Sequence, residues 1–250
     1  MNDILAEVLG TALLVLLGNG VVANVLLGRT KGHASGWIVI TAGWAFAVYT
    51  AVLCVGQFSG AHINPAVTLG LATAGRFAWE QVPGFVGAQM LGGVMGAALV
   101  YLVYRGHYQI TDDADAKLGT FCTAPAIRSW PDNLFSEVIG TMVLVLAVLL
   151  MVETTWTLDS PPGEQTAVVG LGAVGALRVG FIVLAIGLSL GGTTGYAINP
   201  ARDLGPRLAH ALLPIPGKRN SDWSYAWIPV VGPLAGGVLA ALIGRAVSGP

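Results

Sequence analysis

Of the 250 residues, 54% are hydrophobic and 10% charged, the mean hydropathy is +0.72 and the net charge is −1. A soluble domain carries about 25% charged residues, so most of this exterior must face lipid, and the absence of basic excess leaves no footprint for nucleic acid. Cys54 and Cys122 are too few for a disulfide framework, and 35 glycines without a Gly-X-Y period point to close helix packing in a membrane.

Six stretches are long and apolar enough to span a bilayer, which takes about 20 residues. Residues 4–27 form the first. They have no basic leader and no small-residue cleavage site, and are read as a retained span rather than a signal peptide. Residues 37–57 are the second, with Cys54 expected to be packed inside. Residues 81–104, 134–152, 178–189 with their apolar flanks, and 225–247 follow. Two shorter apolar segments remain, 65–74 and 200–213. Each opens with proline directly after asparagine, as a helix start does, and neither can cross a membrane, so each is a half-membrane helix.

The halves echo each other. Ala6-Glu7-Val8-Leu9-Gly10-Thr11 recurs as Ser136-Glu137-Val138-Ile139-Gly140-Thr141, Asn64-Pro65-Ala66 as Asn199-Pro200-Ala201, and Gly92-Gly93-Val94 as Gly236-Gly237-Val238. The three matches keep their order at offsets of 130, 135 and 144 positions. The expected architecture is therefore one all-α membrane domain over residues 1–250, with six transmembrane helices and two re-entrant half-helices. Repeats at about 1–105 and 130–250 are joined by loop 106–132. Three spans per repeat is an odd number, so the second repeat is inverted, and such repeats place a site near the midplane.

Two helix N-termini meeting there would each present about half a positive charge and unpaired N–H groups. They would repel cations, while Asn64 and Asn199 donate hydrogen bonds to a passing oxygen. Arg202 follows the second triplet at membrane depth, where an arginine lines a watery path or is paired. The carbonyls of Gly60, Ala61, His62, Gly195, Tyr196 and Ala197 are expected to line the lumen, because irregular backbone at this depth must face water or protein. Glu7 and Glu137, at equivalent places in spans one and four, must be hydrogen-bonded or paired; a proton relay is the alternative. No further mid-span carboxylate or lysine suggests ion-coupled transport, and no hydrolase or metalloprotease motif suggests an enzyme, a metal or a cofactor.

From Glu7 to about residue 242 the sequence resembles the aquaporin superfamily, almost letter for letter over Ser59–Thr68. The string from Asn199 to Arg207, with Asp203 beside Arg202, and Pro233-Leu234 are similar to its glycerol-facilitator branch. The resemblance implies a selectivity filter of Trp44, Gly187, Tyr196 and Arg202, with Gly187 leaving an opening where the water-selective branch has histidine. Trp44 and Tyr196 would form a wedge for carbon backbones while hydroxyls face Arg202. It implies loop-bracing by Glu7 and Glu137, with Asp203 either bracing or pairing with a loop arginine. His62 is either a narrowing residue or a structural one. Tyr196 stands where that branch usually has phenylalanine, which adds a hydroxyl at the filter.

The implied function is passive conduction of glycerol, other small uncharged solutes and some water, excluding protons and ions. Urea, protonated acids such as lactic acid, or mainly water remain alternatives. The resemblance further implies a homotetramer, multi-pass in the cell membrane and of the bacterial inner-membrane kind, with the termini inside. Loop charge argues the opposite orientation. Nine Lys and Arg (Arg29, Lys31, Arg105, Lys117, Arg128, Arg202, Arg207, Lys218, Arg219) face three (Arg76, Arg178, Arg245). Arg202, and Arg207 with it, are set aside as pore residues.

Overall fold

The computed structural model describes residues 1–152, 155–158 and 167–248. Ten α-helices lie among them: α1 (Asp3–Leu26), α2 (Trp37–Ser59), α3 (Pro65–Thr73), α4 (Val82–Val103), α5 (Arg105–Ile110), α6 (Ala114–Gly119), α7 (Trp130–Leu150), α8 (Ala173–Ser189), α9 (Pro200–Leu212) and α10 (Ile228–Ser248). Five of them, α1, α2, α4, α7 and α10, are long and apolar enough to cross a membrane, and α8 is a shorter apolar helix of 17 residues. At 1.5 Å per residue, α3 with nine residues reaches about 14 Å and α9 with thirteen about 20 Å, against a hydrocarbon core of about 30 Å. These are the two expected half-helices. Each starts on its asparagine: Asn64 Oδ1 accepts from the Ala66 N–H at 2.8 Å, and Asn199 Oδ1 from those of Ala201 and Arg202 at 3.0 and 3.2 Å.

The inverted repeat is visible in the packing. Within the halves, α1 lies against α4 and α7 against α10; across them, α9 docks on α4 and α3 on α10. Glycines make these approaches possible. A methyl group added at Gly92 would lie 2.4 Å from the carbonyl oxygen of Val8, and one at Gly236 2.4 Å from that of Val138. Gly93 and Gly237 serve the half-helices in the same way, each added methyl falling 2.5 Å from a carbonyl oxygen, of Ala201 and of Ala66 respectively. Outward faces carry Phe46, Leu102, Phe135 and Phe181, all exposed as a lipid contact requires.

Three features depart from expectation. Cys54 is exposed, not packed, because an apolar run in a membrane protein gives no inside–outside contrast and this position faces outward beside exposed Leu53. Between α7 and α8 an antiparallel pair appears, β1 (Thr155–Leu158) with β2 (Ala167–Gly170), where only apolar flanks were expected. Loop 106–132 contains α5 and α6 and then runs inward: Asn19 Nδ2, on α1, donates to the Phe121 carbonyl at 2.9 Å.

Because their surroundings match, Gly92→Ala and Gly236→Ala should lose similar stability, about 1–3 kcal/mol each. Gly20→Ala and Gly87→Ala, whose added methyl meets nothing within 4 Å, should be neutral or stabilising. Thermal unfolding in detergent, followed by circular dichroism, compares the four.

Candidate functional site

Between α2 and α3, and again between α8 and α9, the chain runs inward and turns back through unusual backbone. Gly60, Ala61 and Ile63 have φ of 78°, 50° and 44°; Gly195, Tyr196 and Ile198 have 81°, 38° and 43°. Non-glycine residues rarely hold positive φ, and here a buried carboxylate compensates in each turn. Glu7 accepts hydrogen bonds from Ser59 Oγ at 2.6 Å and from the N–H groups of His62 at 3.0 Å and Ile63 at 2.7 Å. Glu137 accepts from Thr194 Oγ1 at 2.6 Å and from the N–H groups of Ala197 at 3.0 Å and Ile198 at 2.8 Å. Each donor lies 135 positions from its counterpart. The symmetry breaks at Gln89, whose Nε2 donates to Glu7 at 2.7 Å and to Thr68 Oγ1 at 3.0 Å. The offset of 144 that links Gly92 to Gly236 places Pro233 at the corresponding position. A lone glutamine within an apolar span was the available signal for this residue, and the motif-based reading passed over it.

The two asparagines meet at the centre. Asn64 Nδ2 donates to the Ile198 carbonyl at 2.8 Å and Asn199 Nδ2 to the Ile63 carbonyl at 2.8 Å. Each side-chain oxygen is occupied by its own helix N-terminus, so each amide keeps one N–H for something else. Both line a cavity of about 130 Å³. Its lining includes the polar residues His62, Asn64, Asn199 and Arg202 and the aliphatic residues Leu14, Val48, Val67, Leu144 and Val183. The cavity shares Val52, Gly60, Val148 and Val179 with a wider vestibule of about 660 Å³ between α2, α7, α8 and the β-hairpin.

Gly60, Ala61, His62 and Tyr196 border this cavity. A side chain at Gly195 would face Thr123, and the Ala197 N–H is turned to Glu137. His62 lies in a tight aromatic contact with Phe77 (4.6 Å between ring centres) and Phe85 (5.0 Å), its Nδ1 3.1 Å from Thr68 Oγ1.

Trp44, Tyr196 and Arg202 all border the cavity, buried to 3%, 5% and 7% exposure. The Arg202 guanidinium carbon sits 4.1 Å over the Trp44 ring, a favourable cation–π placement. Gly187 is nearby but does not border the cavity. The opening expected there is filled by Tyr196: a methyl group at Gly187 would lie 3.0 Å from Tyr196 Cζ, 3.1 Å from its hydroxyl and 2.9 Å from Thr41 Cγ2. The tyrosine hydroxyl is buried without a hydrogen-bond partner among the described residues, as is Trp44 Nε1.

Arg207 is not a pore residue. It is fully buried with Asp203, its Nε 2.9 Å and Nη2 2.8 Å from Asp203 Oδ1. Asp203 Oδ2 accepts from the N–H and the hydroxyl of Thr123, both at 2.7 Å. Arg207 also donates to the carbonyls of Ser221, Asp222 and Thr123 at 2.7, 3.1 and 3.0 Å. Asp203 thus pairs with an arginine and braces a loop at once, holding segment 118–127 behind the second turn. Nearer the surface, Arg128 forms an ion pair with Asp222 and lies 5.2 Å over the Tyr225 ring.

A family model described as "Major intrinsic protein" matches residues 1–244. The chain belongs to the major intrinsic protein family. As a major intrinsic protein it is a multi-pass membrane channel and not an enzyme. It is 58% identical over 241 residues to the probable glycerol uptake facilitator protein of Thermotoga maritima, covering 96% of this chain and 97% of that one. It is 51% identical over 241 residues to glycerol uptake facilitator protein 3 of Lactiplantibacillus plantarum, with 96% and 95% covered. Among solved structures, the aquaglyceroporin of Plasmodium falciparum aligns with a TM-score of 0.81 at 31% identity, covering 98% and 96% of the two chains.

Removing one partner of the buried pair leaves an uncompensated charge, so Asp203→Asn should cost on the order of 3–5 kcal/mol. The double variant Asp203→Asn/Arg207→Met should cost less than the two single losses added, as read from unfolding midpoints. Burial opposes the charge on Asp222, but hydrogen bonds from Arg128 and Ser224 and the nearby arginine charges outweigh it and hold the carboxyl below its ordinary value. Its contribution is therefore complete above the ordinary aspartate range and lost as pH falls through the depressed value. The thermal midpoint of the wild type should fall on acidification more steeply than that of Asp222→Asn.

Proposed function

We propose that the chain conducts glycerol and similar small uncharged solutes, with some water, passively along the cavity between its two half-helices. What supports this reading is the make-up of the lining: a few hydrogen-bonding groups, Asn64, Asn199 and Arg202 among them, set among aliphatic side chains. A polyol offers the matching pair, hydroxyls for the polar groups and carbons for the aliphatic ones. In this reading Arg202 and the free N–H groups of Asn64 and Asn199 meet successive oxygens, while Trp44 and Tyr196 hold the carbon backbone at the narrow end. Gly187 provides the room for the Tyr196 ring.

The same arrangement accounts for exclusion of protons. A water oxygen accepting from both asparagines uses both lone pairs, so its own hydrogens point away and it cannot accept a relayed proton. The two helix N-termini add positive potential against cations. Residues 1–250 act as one channel domain, repeats 1–105 and 130–250 joined by segment 106–132, and four copies associate in the bilayer with one path each. The glycine-rich spans permit that close association.

Stopped-flow measurements on proteoliposomes with water, glycerol, urea and lactic acid test the reading. Glycerol flux should stand well above that of protein-free vesicles; its absence beside rapid water flow would overturn the solute assignment. Gly187→His must displace the Tyr196 ring. It should lower glycerol permeability roughly tenfold, the equivalent of about 1.4 kcal/mol in barrier height, with a smaller loss for water. Equal losses would argue against a constriction at this position.

A further inference from the structure

Trp44 is a bulky, rigid side chain in a crowded place. Its ring takes the Arg202 guanidinium at 4.1 Å and borders the cavity, yet it also needs space behind it. That space comes from α1. A methyl group on Gly18 would fall 2.2 Å from Trp44 Cζ3, 2.3 Å from Cε3 and 2.5 Å from Cη2, and these are the three atoms nearest to it. Such distances are far inside van der Waals contact. A substituent at Gly18 therefore acts on the indole before anything else, and the ring has no flexible end with which to yield.

Gly18 itself does not border the cavity, although Leu14, one turn before it, does. The ring borders both Gly18 and the cavity, so displacing it from α1 shifts its position against Arg202 and the lumen. Gly20, two residues on, shows that a glycine in this helix need not be a seat: a methyl added there meets nothing within 4 Å.

We infer that Gly18 is a specificity-determining position: by seating the Trp44 ring in α1 it sets the aperture between that ring, Tyr196 and Arg202, and so the largest solute that passes. The inference rests on the constriction proposed above and extends it to a residue that touches no solute. It is a positioning residue, and the size of side chain at this position acts as a threshold. Water, which needs less width than a polyol, is affected least.

The test compares Gly18→Ala, Trp44→Phe, the double variant and Gly20→Ala in proteoliposomes, with glycerol and water permeability measured on each. Gly18→Ala should lower glycerol permeability roughly tenfold, or about 1.4 kcal/mol of barrier, with water changed much less. Trp44→Phe removes the benzo ring atoms that the methyl would strike, so the double variant should recover the glycerol-to-water ratio of Trp44→Phe alone. Gly20→Ala should match the wild type. A wild-type ratio in folded Gly18→Ala, or parallel losses of both solutes without recovery in the double variant, would overturn the inference while leaving the constriction in place. If Trp44→Phe alone leaves the ratio unchanged, the constriction itself is wrong and this inference falls with it. Should Gly18→Ala fail to fold, the double variant decides: folding restored by Trp44→Phe supports the seat, and failure of both refutes it.

Discussion

Backbone N–H and C=O groups have no water to turn to in the middle of a membrane, and two stretches of this chain leave helical geometry there. Everything else in the structure depends on how those stretches are satisfied. In each turn one glutamate, essentially without exposure, collects a hydroxyl and two successive backbone N–H groups. A buried carboxylate is tolerable only when its acceptors are filled, and a bare N–H only when it has an acceptor. Each liability removes the other. With their N–H groups taken, the turns direct the carbonyls of Ile63 and Ile198 at the opposite repeat, where Asn199 and Asn64 donate to them.

That exchange is why the two half-helices end nose to nose. Each asparagine caps its own helix with its oxygen and bonds the other repeat with one N–H, leaving little rotational freedom and one remaining donor. Glycines then bring the surrounding helices close enough to hold the pair, Gly93 against Ala201 and Gly237 against Ala66. Small residues serve a second purpose beside the cavity, where Trp44 rests on Gly18 and Tyr196 on Gly187 and Gly191. Large rings near the path are thus positioned by what the neighbouring helices lack.

The loop cations show how a sequence-level count can lose its meaning. Of the nine on the richer side, Arg207 is spent on Asp203, Arg128 on Asp222 and Arg219 on Asp115. Lys218 donates to three carbonyls at the end of α9, of His210, Ala211 and Leu213, and Lys117 to that of Pro216. On the poorer side, Arg76 and Arg178 bind the carbonyls of Leu149 and Val152 at the end of α7. Cations at helix C-termini are stabilised by the helix dipole and by orphan carbonyls. The nine-to-three tally therefore mixes charges free to bias insertion with charges that hold the fold together.

The spans, the half-helices, the inverted repeat, the paired Asn-Pro-Ala triplets and the paired glutamates were legible in the sequence, because each is written locally: in hydropathy over one helix length, in a cap residue before proline, or in a motif repeated in the same order in both halves. Arg202 announced itself as a charge at membrane depth. Other features had no local signature. Arg207 reads as a second pore arginine until its partners Asp203, Thr123, Ser221 and Asp222 converge on it from three segments. Cys54 looks buried because lipid and protein interior are equally apolar. Gly187 reads as empty space until Tyr196 fills it, and Gly18 reads as one small residue among 35 glycines. The sequence determined which elements form and where they begin; which side chain fills which gap was decided only by tertiary packing, because the partners sit on different elements, many of them tens to more than a hundred residues apart.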